Sequence, residues 1–479
     1  MNETSLQLLE EARTLGRGGQ GRHALLVYRK LLILCPESSE VWAEYAGQLL
    51  AVNQLGAALE ASIRTLEFCP DSPLALGFQA KALLRLGRLQ ESEGVLTRLI
   101  SLDPQRIESR LDLARCHIGS EHLDQARLVL RQAAELAPGN ADVTMLLVDI
   151  YTRQEKWTEL HQELLRRIDA DYTGAVADWE RSCVNLNFGV MPLGWEQHES
   201  RWQHPTLTTP VRPFTQPLWD GESFKGRRLL LHWEQGFGDT LMLVRYAPMV
   251  KQLGGRVQLL AQPELADLVA TCDGVDEVHV EGVPLPHFDL HLPLMSLPRV
   301  FKTTLDSIPA RVPYLGVPKK VPNRAGISQL LASSKAGRRV GISWASSPDQ
   351  AACSQKSIMP DLLRPLGALS NVNWYALQHQ MPEVPPLPGI VSLSPLLSNF
   401  SDTAYAVSGM DIVITIDTVI AHLAGAMGVP TLLLLNYLPD WRWLMGRGDS
   451  PWYPSMQIYR QPRAGDWDGL IEQIVKDCE

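Results

Sequence analysis

Arg227 to Leu253 reads RRLLLHWEQGFGDTLMLVRYAPMVKQL. Its largely apolar run, Leu229–Trp233, suits a strand buried in a parallel sheet. Gly236-Phe237-Gly238-Asp239 then supplies a tight turn, and Leu241, Val244, Ala247, Pro248 and Val250 recur near helical spacing. Strand, glycine turn and helix are how open α/β sheets build an anion site. The helix N-terminus there presents unpaired N–H groups and the positive end of its dipole. A GxGD turn alone is a weak signal, and its weight here comes from a second unit of the same kind.

That second unit runs from Met410 to Pro430, MDIVITIDTVIAHLAGAMGVP. A buried strand ends at Asp417-Thr418, a short helix follows, and Gly428 closes it. Thr418 is placed to cap the helix, and His422, one turn on, shares its face toward the rim of a cleft. Around the first unit, Val257–Ala261, Glu277–Val280 and Phe288–Leu292 also read as strands. A second series comprises Arg339–Trp344, Trp374–Gln378, Ile390–Leu393, Asp411–Ile416, Thr431–Leu435 and Met456–Tyr459. Short apolar strands alternating with helices predict parallel sheets covered on both faces. The expected arrangement is two Rossmann-like domains in tandem, 219–320 and 321–479, with a cleft between them.

Upstream the pattern changes. Prolines stand at Pro36, Pro70, Pro104 and Pro138, each gap being 34 (70−36, 104−70, 138−104). Ala12, Ala46, Ala80 and Ala114 keep the same period, as do Ala24, Ala58, Ser92 and Ala126. Small residues where helices cross and a proline closing each unit are what a helix–turn–helix repeat of this length requires. Residues 1–170 therefore resemble tetratricopeptide repeats, with a degenerate fifth repeat over Ala141–Ile168. Such a solenoid leaves a groove suited to an extended peptide; a spacer or dimerisation surface is the plainer alternative. Residues 171–218 lose the period. Trp195, Glu199 and Trp202 fall on one helical face and read as a cap for the solenoid, and Pro205, Pro210, Pro213 and Pro217 mark an extended linker.

Composition narrows the function classes. A net charge of −9 over 479 residues gives no basic footprint for nucleic acid. No apolar run reaches the roughly 18 residues of a membrane span, and the polar N-terminus is unlike a signal peptide. The seven cysteines are scattered without CxxC pairs, which suits reduced thiols and a cytoplasmic location.

The GFGD turn, Ser343-Trp344 and the DTVIAHLAGAMGVP segment resemble the bacterial heptosyltransferases, and more closely their relatives fused to tetratricopeptide repeats. YLPDWRW (437–443) and DSPWYP (449–454) carry the resemblance on, so that it spans nearly the whole chain. It implies a GT-B pair of Rossmann-like domains, a nucleotide-sugar as substrate, no cofactor and no required metal. The architecture is similar to that of O-GlcNAc transferases. By the same resemblance Asp239 is the general base, and Gly236, Gly238, Lys356, Asp417, Thr418, Val419 and His422 hold the donor. Glu234, Gln235 and Trp441 are candidate acceptor or sugar contacts. Two departures stand out: Val419 fills a position that is usually glycine, and Ser347 to Lys356 carries one cation where a more basic loop is the rule.

Each site residue also has a purely structural reading. An acid at a helix start stabilises it by about 0.3–1 kcal/mol without chemistry, which is all Asp239 need do. Thr418 can cap, His422 can be a satisfied core histidine, and Trp441 can pack beneath a loop. Asp466-Trp467-Asp468 has the form of a metal-binding DxD but opens the last helix, and prolines bar His287 and His291 from a shared helix, so no metal site is expected. The reading that follows is a glycosyltransferase acting on a protein acceptor docked by the repeat arm. Family analogy names flagellin or another surface protein. Transfer to lipopolysaccharide or another glycan is one alternative, and a non-catalytic scaffold with a decayed transferase half is another. Sugar, nucleotide and anomeric outcome stay open.

Overall fold

The computed structural model describes residues 3–205, 207, 209, 211–333, 335–346, 356–379 and 386–478. The chain forms two compact units, Met1–Asp171 and Tyr172–Glu479.

The first unit is a run of paired helices: α1 (Glu3–Arg17), α2 (Gly21–Leu34), α3 (Ser39–Ala51), α4 (Leu55–Phe68), α5 (Pro73–Arg85), α6 (Leu89–Leu102), α7 (Ile107–Gly119), α8 (Leu123–Leu136), α9 (Ala141–Arg153) and α10 (Trp157–Asp171). Every alanine and serine of the two small-residue series is 0% exposed, so these are the positions where helices meet too closely for larger side chains. Capping follows the same register. Ser38, Ser72 and Asn140 accept the amides of Val41, Ala75 and Val143 at the starts of α3, α5 and α9, each contact stabilising its helix by about 1 kcal/mol. Arg106 at the equivalent position before α7 makes no such bond.

The second unit opens with α11 (Gly174–Asn187), α12 (Met191–His198) and a 3₁₀ turn, Glu199–Gln203. Where the sequence suggests a cap for the solenoid, this segment packs into the second unit's own core. Trp195 is 1% exposed and meets Trp441 and Trp452 edge-on, with ring centroids 5.3 and 6.4 Å away. Arg201, fully buried, donates Nε and Nη2 to Glu234 at 2.8 and 2.9 Å. The proline-rich stretch is likewise no free spacer. Phe214 packs edge-on against His232, Phe288 and His291, while Arg212 donates to the Trp233 carbonyl and to Glu281. Pro210 lies outside the described residues. Prolines forbid helix here, yet an extended chain can still lie across a sheet and bury its aromatic.

Two parallel sheets follow. The first has β1 (Arg228–His232), β2 (Arg256–Ala261), β3 (Glu277–Val280) and β4 (Leu290–Pro293) in the order β3-β2-β1-β4. The second has β5 (Arg338–Ser343), β6 (Val372–Ala376), β7 (Val391–Ser392), β8 (Ile412–Ile416), β9 (Thr431–Leu435) and β10 (Met456–Arg460) in the order β10-β9-β8-β5-β6-β7. All named strand pairs are parallel. One buried cluster takes in Leu229 and Leu231 of the first sheet, Val413 and Leu433 of the second, and Trp195 of α12. The helices between the strands thus pack into a shared core.

Candidate functional site at the facing switch points

In each sheet the chain begins at an inner strand, builds one side, then crosses to the other. The reversal falls between β1 and β4 in one sheet and between β5 and β8 in the other. Loops leaving the carboxyl ends of strands at such points diverge and leave a crevice, where open α/β sheets bind ligands. Both glycine-turn units stand there: helix α13 (Phe237–Leu243) after β1, and the Val419–Ala426 helix after β8.

These two helices touch. The imidazole of His422 fills the space beside Gly238, where a β-carbon would come within 2.6 Å of its Cδ2. His422 is 4% exposed, stacks on Trp443 at 5.0 Å, and shares a hydrogen bond between Nδ1 and the Tyr453 hydroxyl at 2.8 Å. Burial, and next the charge of Arg442, pull its pKa down to about 3, so the ring is neutral. Gly238 therefore serves a close helix approach rather than an open phosphate cradle, and His422 lies in the packed interface rather than on an open rim.

Asp239 is bound on both oxygens. Oδ2 accepts the Gly236 amide at 2.9 Å, and Oδ1 accepts Nε and Nη2 of Arg442, with Nε at 2.9 Å. Arg442 also donates Nη1 to Asp440 at 2.6 Å and lies over Trp441, 4.3 Å from the ring centre. Burial works against the guanidinium's charge, but Asp239 and Asp440 hold it protonated above its ordinary range. Arg442 and Asp440 were missed in the sequence. The only signal was an acid and a base two apart in YLPDWRW, a spacing too common to single out.

On the β5–β8 side, Lys356 Nζ lies 2.5 Å from Asp417 Oδ2. The two residues follow adjacent strands, β5 and β8, so the fold joins what the sequence only named together. Thr418 occupies the N-cap position of the next helix in extended backbone, φ −141° and ψ 176°, but makes no side-chain cap. Its hydroxyl is buried without a hydrogen-bond partner among the described residues. The amides and dipole at this helix N-terminus favour an anion, and among the described residues nothing meets the hydroxyl there. Val419 follows as a half-buried first helical residue. The loop 347–355, expected to be more basic, lies outside the described residues.

Two candidates are corrected by burial. Glu234 is 1% exposed and committed to Arg201 and to the Met295 amide at 3.1 Å, so it meets neither acceptor nor sugar. Burial raises its pKa even against Arg201. Trp441 is 5% exposed, between Trp195 and Arg442, and packs instead of lining a path. Gln235 stays half-buried in left-handed backbone (φ 60°), its amide bound to Thr209 Oγ1 at 2.7 Å and its Nε2 unpartnered among the described residues. A non-glycine residue held there is strained by about 1–3 kcal/mol and persists because its surroundings fix it. Among the described residues no group of three or more histidine, cysteine or acidic side chains is placed to hold a metal ion, and no helix is long and apolar enough to cross a membrane.

Comparison with known proteins bears on the first unit most directly. Residues 49–107 and 83–150 match tetratricopeptide-repeat families. Solved structures similar to the repeat region include MamA from Desulfovibrio magneticus RS-1, 15% identical over 35% of this chain and 96% of that chain, with a TM-score of 0.34. YrrB, described as a TPR protein with an unusual peptide-binding site, is 19% identical over 36% of this chain and 88% of that chain, with a TM-score of 0.31. Along nearly the full length, 99% of this chain and 86% of the relative, the sequence is 23% identical to Protein FlbA of Caulobacter vibrioides. The chain thus carries tetratricopeptide repeats ahead of parallel-sheet architecture and is a distant relative of FlbA.

Proposed function

We propose that Tyr172–Glu479 is a GT-B glycosyltransferase that takes a sugar from a nucleotide-sugar and passes it to a protein acceptor engaged by the repeat arm. The observation that carries this reading is the Thr418 hydroxyl, buried with no hydrogen-bond partner among the described residues, at a helix N-terminus beside the Lys356–Asp417 pair, at the switch point of the second sheet. A donor phosphate seated there would be met by the hydroxyl, the helix dipole and a cation, all of which stabilise charge developing on the leaving group. No metal enters this scheme, so turnover in excess EDTA is expected to equal turnover in magnesium. Asp239 would take the acceptor's proton after releasing one of its two present partners.

The arm gives this reading its acceptor class, because a peptide-sized surface is superfluous for a glycan. A cytoplasmic location fits a nucleotide-sugar substrate. The test is incubation of the full chain with nucleotide-sugars and candidate acceptors, read by intact mass. Asp239→Asn should lower transfer by about 10²–10⁴ while donor binding holds. Retention of most turnover would remove Asp239 from the chemistry.

A second reading, a scaffold whose transferase half has lost its chemistry, is favoured by one feature. Every named charge at the site already has a partner in the chain: Asp239 and Asp440 with Arg442, Lys356 with Asp417. Under that reading no nucleotide-sugar binds.

A further inference from the structure

Crevices between two sheets commonly close by hinge or shear motion of the halves that flank them. Here one helix, α13, is tied to elements of the second sheet at both of its ends. At its N-terminal end Gly238 abuts His422, and Asp239 pairs with Arg442. Its other end runs into a 3₁₀ turn, Val244–Tyr246, that carries Arg245. Arg245 is 3% exposed, and among the described residues it has no carboxylate partner. Its guanidinium reaches three other oxygens instead. Nε donates to the Met242 carbonyl at 2.7 Å, Nη1 to the Trp452 carbonyl at 2.5 Å and Nη2 to the Tyr314 hydroxyl at 2.8 Å. It also lies against the rings of Tyr453, Tyr314 and Trp452, at 4.5, 4.7 and 5.4 Å from their centroids.

Trp452 and Tyr453 lead into β10, and Tyr314 lies on the segment that joins the two sheets. Two of these rings carry the grip on to the Val419–Ala426 helix. Tyr453 lies flush against Gly425, where a β-carbon would come within 2.4 Å of the ring, and it is hydrogen-bonded to His422. Tyr314 donates its hydroxyl to the Leu241 carbonyl of α13 at 2.9 Å and its backbone amide to the Ala426 carbonyl at 3.0 Å. A buried cation is costly unless hydrogen bonds and aromatic faces meet it. An apolar side chain of similar size would fill the space at less cost, but it would let the packed elements slide. Directional bonds fix their register. α13, seven residues and roughly 10 Å long, is thus held at both ends, and no axis of rotation preserves both sets of contacts.

We propose that Arg245 is a positioning residue that locks the two sides of the crevice into one body, so that ligands enter a preassembled site without closure of its halves. The lock itself does not depend on the transferase reading. Its consequence for transfer does rest on that reading: it keeps Asp239 at a fixed separation from Thr418, so the base and the donor end are set before either substrate arrives.

The test places spin labels in the full chain through p-acetylphenylalanine at Lys225, an exposed residue just before β1, and at Glu472, exposed on the last helix, Trp467–Cys478. Pulsed electron resonance should give one narrow distance, unmoved by pyrophosphate or uridine diphosphate at millimolar concentration. Arg245→Met should widen that distribution at least twofold. Arg245→Lys, which keeps the charge but not the planar fork, should widen it less, and it carries the comparison should Arg245→Met fail to fold. A second distance in the natural chain, a shift on adding either probe, or an unchanged width in every folded variant would overturn the proposal. In turnover with a nucleotide-sugar, Arg245→Met should lower kcat at least tenfold with donor KM held, and Arg245→Lys should regain part of the loss. A natural chain with one narrow distance and no turnover would overturn the transferase reading and leave the lock standing.

Discussion

Asp239 and Arg442, 203 residues apart in the chain, form an ion pair in which Nε donates to the carboxylate at 2.9 Å. The pair joins the glycine turn after β1 to the 3₁₀ turn after β9, so it ties the two sheets together at the candidate site. Each side chain keeps 12% exposure, and neither has water enough to replace the other. Arg442→Met should therefore cost about 3 kcal/mol, the low end for breaking a buried pair. In urea unfolding, the double variant with Asp239→Asn should lose less than the sum of the two single changes. Additive losses would mean that the pair carries no coupling.

Gly238 and Gly236 sit two residues apart but meet different surroundings. A β-carbon at Gly238 collides with His422, whose ring is pinned by Tyr453 and Trp443, whereas at Gly236 it meets only Asp239 Oδ2 at 3.5 Å. Gly238→Ala should cost about 1–3 kcal/mol through overpacking, and Gly236→Ala little. Comparable losses in denaturant midpoint would show that the turn, not the helix contact, sets the requirement.

Acid should destabilise the second unit well before its carboxylates titrate. Burial chiefly holds His198 and His232 well below the ordinary histidine range and His422 down to about 3. In the unfolded chain all three titrate near 6.5, so below that pH the unfolded state binds protons that the folded state refuses. Stability is then full above about pH 6.5 and falls as the pH drops, each histidine contributing roughly 1.4 kcal/mol per pH unit, for His422 until about pH 3. Urea midpoints at pH 7.5, 6.5 and 5.5 check this. A midpoint that holds steady or rises over that range contradicts the assignment.

The boundary between the units is also testable. Residues 172–479 should fold cooperatively alone, because Trp195 and Arg201 remain with Trp441, Trp452 and Glu234. Residues 219–479 leave Glu234 buried without its cation, at a cost of about 3–5 kcal/mol, and expose the Trp441–Trp452 surface. Circular dichroism melting should show one sharp transition for the longer piece and none for the shorter. Equal transitions would return the segment 172–218 to the role of a detachable linker.

What could be read in advance follows from how local its cause is. The 34-residue period is set by contacts between neighbouring helices, and every small residue of that series is buried where the register puts it. Strands such as Glu277–Val280 and Thr431–Leu435 announce themselves by composition. The segment 172–218 was misjudged because prolines and a lost period say what the chain cannot form, not what it lies against. Trp195 finds Trp441 only once the second sheet exists, and Phe214 finds His291 only once the first does. At the site, Asp239, Thr418 and His422 were named from local motifs, but Arg442 was not, since its role is defined by a carboxylate 203 residues away. His422 was expected at a rim because helix spacing gives a face, whereas its burial depends on the glycine opposite.

The central claim is that the switch point beside Thr418 and Lys356 receives a nucleotide-sugar. Calorimetric titration of the full chain with a panel of nucleotide-sugars, alongside Thr418→Val and Lys356→Ala, tests it most directly. The account predicts saturable one-to-one binding of one donor, weakened about 10- to 150-fold in each variant, since each removes one hydrogen bond to a charged group worth about 1.5–3 kcal/mol. No binding of any nucleotide-sugar, or binding that ignores both substitutions, would contradict it.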